Sequence, residues 1–354
     1  MLRQLGLVSG GRDGYLIRQN IKSFEIEGKT LAPSSITSLD MNESGRILVG
    51  MEGSILIELK EFGHHKVLEK GSYRVVIEGH SVLKNQELWG LATNPSNPAE
   101  YVTVGDDSLV VIRSIRSKDM VAKTHLQGQL KSVAYSPDGK YIAVGNVNGD
   151  IFVLKSTDLT QVHFQKYDQP KDIKSRVHSI NVLKFSPNGK YLAAGTHDDV
   201  VYIWTLTDGF KIVLTLKGHT SYITHLDWST NSDHIQSNSN SEILCWTIPS
   251  GTSVKSAANV TWATSSCTWF ESTIRGNDVT TVDKNPDETC IVSGDDFGCI
   301  KLFSSSDMKP MMPYKQYSGH GSNVTNVAFG IDGRYLISTG GGDGCAFEWR
   351  VQKG

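Results

Sequence analysis

The side chains best suited to chemistry in this 354-residue chain are its acidic pairs, its histidines and its glycine-rich loops. Paired carboxylates such as Asp106-Asp107, Asp198-Asp199 and Asp295-Asp296 can shuttle protons or ligate Ca2+ through oxygen. All three pairs recur at one position of a repeated pattern, which points to a shared structural duty. Asp296-Phe-Gly298 matches the metal-binding triplet of protein kinases, but no H-R-D loop or V-A-I-K strand accompanies it. Gly10-Gly-Arg-Asp-Gly14 and Gly340-Gly-Gly-Asp-Gly344 lack the G-x-x-x-x-G-K-[ST] spacing that cradles phosphate, so both read as turns. His64 and His65 look like a metal pair, yet neighbours on a strand face opposite ways, and the pair reads as exposed loop. His225, three residues before Trp228, reads as packed. No nucleophile, base and acid are held together by the pattern. The expectation is a protein that is not an enzyme, with no catalytic residues, no cofactor and no metal.

Charge and composition narrow the partner class. Lys and Arg number 35 against 37 Asp and Glu, a formal net charge of −2, and no basic run breaks the balance. A nucleic-acid binder carries a basic stripe, so nucleic acid is not expected as a partner. The five cysteines (Cys245, Cys267, Cys290, Cys299, Cys345) form no C-x-x-C pair and suit a reducing compartment. No stretch of 18 or more apolar residues occurs and the N-terminus has no long apolar core, so neither a membrane partner nor a secretion signal is expected. A hydrophobic fraction of 38% is ample for a packed core.

The elements that must position these side chains come from internal repetition. Tyr141-Ile-Ala-Val-Gly-Asn-Val-Asn-Gly-Asp-Ile-Phe-Val-Leu154, Tyr191-Leu-Ala-Ala-Gly-Thr-His-Asp-Asp-Val-Val-Tyr-Ile-Trp204 and Cys290-Ile-Val-Ser-Gly-Asp-Asp-Phe-Gly-Cys-Ile-Lys-Leu-Phe303 align with Tyr335 to Trp349. Each is an apolar run, a Gly/Asp/Asn turn and a second run ending in a large residue, which is a β-hairpin. Further strands precede three of them at Val133, Leu183 and Val327, each ending in a turn with Asp-Gly or Asn-Gly. A six-residue offset joins turn to strand end in seven units, for example Asp107 to Arg113, Asp198 to Trp204 and Asp343 to Trp349. Strand ends at Gln19, Glu58, Arg113, Leu154, Trp204, Trp246, Phe303 and Trp349 are 39 to 57 residues apart. WD40 units run about 40–45 residues, one four-stranded blade each. The longer intervals imply loop insertions around 67–86, 168–176 and 262–278.

The expected class is therefore all-β, a WD40-type β-propeller of seven to eight four-stranded blades, the first incomplete. Small residues such as Ala193-Ala-Gly195 and Ser338-Thr-Gly340 are expected on crowded inner strands. The last blade carries every member of the buried WD40 relay: His320, Ser338, Asp343 and Trp349. The sixth keeps His219 and Trp246 but has Asn240 at the acidic position, and the first four units end in Gln19, Glu58, Arg113 and Leu154 instead of Trp. The domain expectation is a single propeller over 1–354, with 1–20 as a partial first blade and a further propeller upstream.

Gly218-His-Thr-Ser-Tyr-Ile-Thr-His-Leu-Asp-Trp-Ser229, Glu87-Leu-Trp-Gly-Leu-Ala92, the Trp262-Ala-Thr insertion, Ser293-Gly-Asp-Asp-Phe-Gly298 and the closing Ser318-Gly-His to Trp349 are more specific than the repeat. In these strings the chain closely resembles the echinoderm microtubule-associated protein-like family, from about residue 5 to the end. The resemblance implies the second of two tandem atypical propellers. It implies tubulin or a microtubule-associated protein as partner, a cytoplasmic, cytoskeletal location on microtubules, and by extension the axoneme of cilia or flagella. The chain would act as a monomer or within a larger assembly. A general WD40 scaffold in a signalling or ubiquitin-ligase complex, without tubulin contact, stands as the alternative. Contacts are expected from loops at one face. Register places Arg12, Asp106 and His197 just before turn positions, and Trp89 and Tyr222 near strand starts, as candidate partner-binding residues. For Trp89 and Tyr222, packing within a blade is the competing reading.

Overall fold

The computed structural model describes residues 6–42, 45–59, 67–68, 71–80, 86–166, 178–207, 209–239, 242–255, 257, 259–267, 279–305 and 313–352. The chain divides into two compact units, Met1–Val82 and Leu83–Gly354. Every sheet is an antiparallel meander whose strands follow chain order. The class expected from sequence, an all-β WD40-type propeller, is what the structure shows. Among the described residues six sheets have four strands and two have three.

The first unit holds two sheets: β1 (Gly6–Gly10), β2 (Tyr15–Asn20) and β3 (Ile26–Leu31); then β4 (Ile36–Met41), β5 (Ile47–Met51), β6 (Ile55–Leu59) and β7 (Tyr73–Glu78). The partial first blade thus reaches beyond residue 20, because β3 pairs with β2 as an outer strand. β7 lies within the stretch expected to be an insertion loop. Its Tyr-Arg-Val-Val-Ile run is β-prone and registers along β6. The core of this unit gathers Leu16, Ala32, Ile36, Ile47, Val49, Met51, Ile57 and Leu59.

The second unit has six sheets. They are β8–β11 (Leu88–Thr93, Glu100–Gly105, Leu109–Ser114, Met120–His125), β12–β15 (Leu130–Tyr135, Tyr141–Asn146, Ile151–Lys155, Gln161–Gln165) and β16–β19 (Ile180–Phe185, Tyr191–Thr196, Val200–Thr205, Lys211–Lys217). After them come β20–β23 (Ile223–Trp228, His234–Ser239, Glu242–Thr247, Ser253–Val254), β24–β27 (Val279–Lys284, Cys290–Asp295, Cys299–Ser304, Tyr314–Ser318) and the three-stranded β28–β30 (Val324–Phe329, Tyr335–Gly340, Ala346–Arg350).

Inner strands lie side by side and run the same way. Ser132 Oγ donates to the Ile180 carbonyl (2.7 Å) and Asn181 Nδ2 to that of Ile223 (3.2 Å), while Trp228 Nε1 reaches the Lys184 carbonyl near the far end (3.1 Å). The last sheet meets the first of this unit. Thr325 Oγ1 donates to the Leu88 carbonyl (2.6 Å), Thr93 Oγ1 to that of Phe329 (2.9 Å), and the Leu88 amide to that of Gly341 (3.1 Å). The succession β24, β28, β8, β12, β16, β20 is therefore continuous. Beside β20 the expected insertion at 262–278 makes itself felt: Asp227 accepts from the Ser266 amide (3.0 Å) and hydroxyl (2.8 Å), the Cys267 amide (2.7 Å), Gln236 Nε2 (3.1 Å) and the Thr264 hydroxyl. Residues 268–278, and the insertion expected at 168–176, lie outside the described residues.

The small-residue runs sit on second strands, β17 and β29, not on the innermost ones as expected from sequence. Crowding is real there, because the neighbouring sheet's inner strand leans onto them. A Cβ on Gly195 of β17 would come within 2.5 Å of Ile223, and one on Gly294 of β25, another second strand, within 2.5 Å of Val324. The turns between second and third strands carry a positive-φ residue in register: Gly14, Ser108, Gly149, Asp199, Gly298 and Gly344. Asp and Asn before those positions cap the turn by accepting backbone amides, as Asp295 Oδ1 does from Phe297 (3.0 Å) and Cys299 (2.8 Å).

Candidate interaction face

In the second unit four turns between second and third strands lie beside the start of an inner strand. The Asp106 amide donates to the Glu87 carbonyl (2.9 Å), Val147 to Gln129 (3.0 Å), His197 to Ser179 (2.9 Å) and Gly341 to Asn323 (2.9 Å). Since inner strands run parallel, these turns share one end of the unit. Four of the five candidate contact residues fall there.

Trp89 and Asp106 are brought together. Asp106 Oδ2 accepts the Trp89 indole N–H (3.2 Å) and the Glu87 amide (3.0 Å), while Oδ1 lies 2.9 Å from Lys131 Nζ. The same ammonium stands 3.8 Å from the Trp89 ring centroid, a cation–π contact. With 7% exposure Asp106 does not face outward; it holds Trp89 and Lys131 in place. Burial pulls the Lys131 pKa down against the opposing pull of Asp106 and Glu87, and burial pushes that of Glu87 up. Lys131 was not among the residues read from sequence. Its signal was present, because Trp89 and Lys131 both hold the second position of an inner strand, β8 and β12.

His197 and Tyr222 form the second pair. Their rings stack at 5.0 Å with an interplanar angle of 8°, and both are exposed, Tyr222 by 45%. The Tyr222 loop is fixed from below. His219 Nε2 meets Ser237 Oγ (2.6 Å), His219 Nδ1 meets Glu242 Oε1 (3.2 Å), and that carboxylate also takes the Thr220 amide (2.7 Å). The acidic member of this relay is thus Glu242, two residues after the expected Asn240, which lies outside the described residues. On the neighbouring turn Asp198 accepts from the Tyr202 hydroxyl (3.1 Å) and from Thr196, with His178 Nδ1 at 3.5 Å.

Arg12 is exposed on the β1–β2 turn of the first unit. In the last sheet His320 Nδ1 lies 3.0 Å from Asp343 Oδ2 and Nε2 lies 2.8 Å from Ser338 Oγ, which also accepts the Trp349 indole N–H (2.8 Å). Burial lowers the pKa of both His219 and His320, against their carboxylates, and favours neutral rings. The Asp343 carboxylate, which can only accept, then requires the neutral His320 ring to carry its proton on Nδ1, leaving Nε2 to accept from the Ser338 hydroxyl. Phe297, 74% exposed on the β25–β26 turn, adds an aromatic that sequence reading had treated only as part of a turn.

Among the described residues no group of three or more His, Cys, Asp or Glu is placed to hold a metal, and no helix is long and apolar enough to cross a membrane. Aromatic faces, a cation and hydrogen-bonding turns on a rigid sheet end are what a protein surface needs to grip another.

A family model described as the echinoderm microtubule-associated protein second beta-propeller matches residues 88–351. Mouse echinoderm microtubule-associated protein-like 2 is 37% identical over 296 residues, covering 79% of this chain and 43% of the relative. Mouse echinoderm microtubule-associated protein-like 1 is 33% identical over 373 aligned residues, covering 99% of this chain and again 43% of the relative. The chain thus spans less than half the length of these curated relatives. A chain from the crystal structure of a mitotic checkpoint complex superposes with a TM-score of 0.50 at 17% identity, covering 90% of this chain and 87% of that one, a likeness of fold alone. With the matched propeller beginning at the first strand of the second unit, the chain belongs to the echinoderm microtubule-associated protein-like family.

Proposed function

We propose that this chain is a non-catalytic, protein-binding propeller that associates with microtubules in the cytoplasm, contacting tubulin or a microtubule-associated partner. The observation that carries the reading is the pair of ring clusters, Trp89 with Lys131 and His197 with Tyr222, at one end of the second unit. Relatives bearing the name echinoderm microtubule-associated protein-like support the cytoskeletal class of partner. Axonemal microtubules of cilia or flagella are the narrower setting we attach to it. Arg12 is proposed as a contact from the first unit. A further propeller outside residues 1–354 completes the tandem arrangement, in keeping with the 43% share of the relatives that this chain covers.

Co-sedimentation with polymerised tubulin, together with gel filtration on tubulin dimers, tests the reading. Binding that weakens on substitution of His197 and Tyr222, with folding intact, is the expected result. Absence of binding in both assays from folded protein would reject direct tubulin contact and favour the general scaffold.

A further inference from the structure

One end of the second unit repeats a pairing of aromatic ring with carboxylate, and in one copy a cation already fills it. The Lys131 ammonium lies 3.8 Å from the Trp89 ring centroid and 2.9 Å from Asp106 Oδ1. Two further copies sit at the same end. Phe297 follows Asp296 on the β25–β26 turn, and both are exposed. That turn belongs to this end because Asp295 pairs with Val279, the first residue of the inner strand β24. A Cβ on Gly298 would come within 2.7 Å of the His320 and Ser322 carbonyl oxygens, so the turn packs on the neighbouring loop. In the other copy Tyr222 stacks on His197, two residues before Asp199. Among the described residues no lysine lies over the Phe297 or Tyr222 ring as Lys131 does over Trp89.

The charge around these rings has one sign. The turns between second and third strands carry Asp107, Asp150, Asp199, Asp296 and Asp343 and, among their described residues, no lysine or arginine. Glu87 stands beside them, where burial raises its pKa and Asp106 and Asp296 add to the rise against Lys131 and Asn323. Lys131 and Lys301 reach in from strands, and each is bonded to an acid, Asp106 or Asp295, at 2.9 Å. Lys166, Lys217 and Lys255 lie by the fourth strands, at the outer edge of their sheets. The opposite end of the unit interleaves both signs: Lys118 with Glu348, Lys140 with Asp138, Lys284 with Glu288 and Arg334 with Asp332. The near-neutral balance of the whole chain hides this split.

We propose that this end of the second unit takes a basic protein segment, whose lysine or arginine side chains sit over Phe297 beside Asp296 and over Tyr222 beside Asp199, as Lys131 sits over Trp89 beside Asp106. A cation over a ring is held by the ring's quadrupole, and a carboxylate alongside accepts its charged hydrogen bonds. The same turns repel an acidic segment. The inference rests on the protein-binding reading of this face and names the chemistry of the partner's contact.

The test uses two fluorescent peptides of equal length, one alternating arginine with glycine and serine, the other glutamate with the same spacers, read by anisotropy against the full chain. The basic peptide should bind and the acidic one should not. Its binding should weaken as salt rises, because exposed charges are screened beyond about 8 Å at physiological ionic strength. Phe297→Ala is expected to weaken it about threefold, the size of an exposed cation–π contact, with the melting temperature unchanged. Asp296→Asn combined with Asp199→Asn should weaken it about fivefold. Asp138→Asn combined with Asp158→Asn, at the opposite end, should leave it as it was. Failure to bind the basic peptide, equal binding of the two peptides, or equal losses from variants at the two ends would overturn the inference. Capture of the basic peptide by protein that neither co-sediments with polymerised tubulin nor binds the dimer would reject the cytoskeletal reading and leave this one standing. Tubulin binding without peptide binding would do the reverse.

Discussion

In the sheet β28–β30, His320 bridges Asp343 and Ser338, and Ser338 also takes the indole N–H of Trp349, so four side chains from two strands, a turn and a loop are joined. In β20–β23, His219 bridges Ser237 and Glu242, but Trp246 meets the imidazole edge-on, with centroids 5.7 Å apart. The carboxylate comes from a turn in one sheet and from the first residue of a strand in the other, yet each also accepts the amide after its histidine, Gly321 (2.8 Å) or Thr220 (2.7 Å). What the loop requires is a carboxylate within reach of the ring and that amide; the chain position that supplies it is free to move. The β20 sheet compensates for its looser Trp with a knot the last sheet lacks. At the fifth position of the inner strand it has Asp227, gathering Gln236 and residues 264–267, where β28 has Ala328.

The largest effect should come from cutting that knot. Asp227→Ala strands several buried donors and is expected to destabilise the second unit by about 3–5 kcal/mol, read as a lower urea midpoint. A loss under about 1 kcal/mol would mean that the 261–267 segment is not held through Asp227. Burial raises the Asp227 pKa, but the Thr264 and Cys267 hydrogen bonds and Lys184 outweigh it, so the carboxylate stays charged and ready to accept.

Ser338→Ala should cost about 1–3 kcal/mol, because it leaves both His320 and Trp349 without their shared partner. Ser237→Ala removes only the bond to His219 and is expected to cost about 1 kcal/mol less. Equal losses would show that the Trp bond adds nothing, and the contrast between the sheets would fall.

Asp283 on β24 is pushed up to about 6, chiefly by burial, with the Phe329 amide opposing. A carboxyl whose folded pKa exceeds its unfolded one favours the fold at low pH, and that advantage fades as pH rises from about 4 through about 6. Asp283→Asn is therefore expected to raise stability at pH 7 by about 1–2 kcal/mol and to flatten that pH dependence. The two relay histidines act with the opposite slope. Their folded pKa values are lowered by burial, so stability is full above the unfolded value of about 6.5 and declines as acid protonates the unfolded rings. Thermal melts between pH 7.5 and 5.5 should show the decline, and His320→Gln should reduce it more than it reduces stability at pH 7.5. The smallest effect on stability belongs to the exposed pair. Tyr222→Ala should change it by under about 0.5 kcal/mol while weakening partner binding about tenfold, which separates contact from packing.

Much of this was legible in the residues. The repeated hairpins, their Asp-Gly and Asn-Gly turns and the six-residue offset determined an all-β repeat, because period-two apolar runs and positive-φ turn residues leave few other folds open. The strings around Gly218-His219 and Ser318-Gly-His320 determined the family. His320, Ser338, Asp343 and Trp349 were readable as a set because they occupy corresponding positions of a known repeat unit. Tertiary structure alone decided the rest. Glu242 serves His219 because a strand start passes within reach of the ring, which no fixed spacing encodes. Lys131 joins Trp89 across two neighbouring inner strands, and Asp106 turns inward to hold both. Small residues gather on second strands because the next sheet's inner strand crosses them. The division after Val82 follows from which inner strands pack together, with Thr325 meeting Leu88 some 237 residues apart in sequence. Local pattern sets what each strand is; which strand lies beside which is a matter of packing between distant residues, and a single sequence carries no record of that distance.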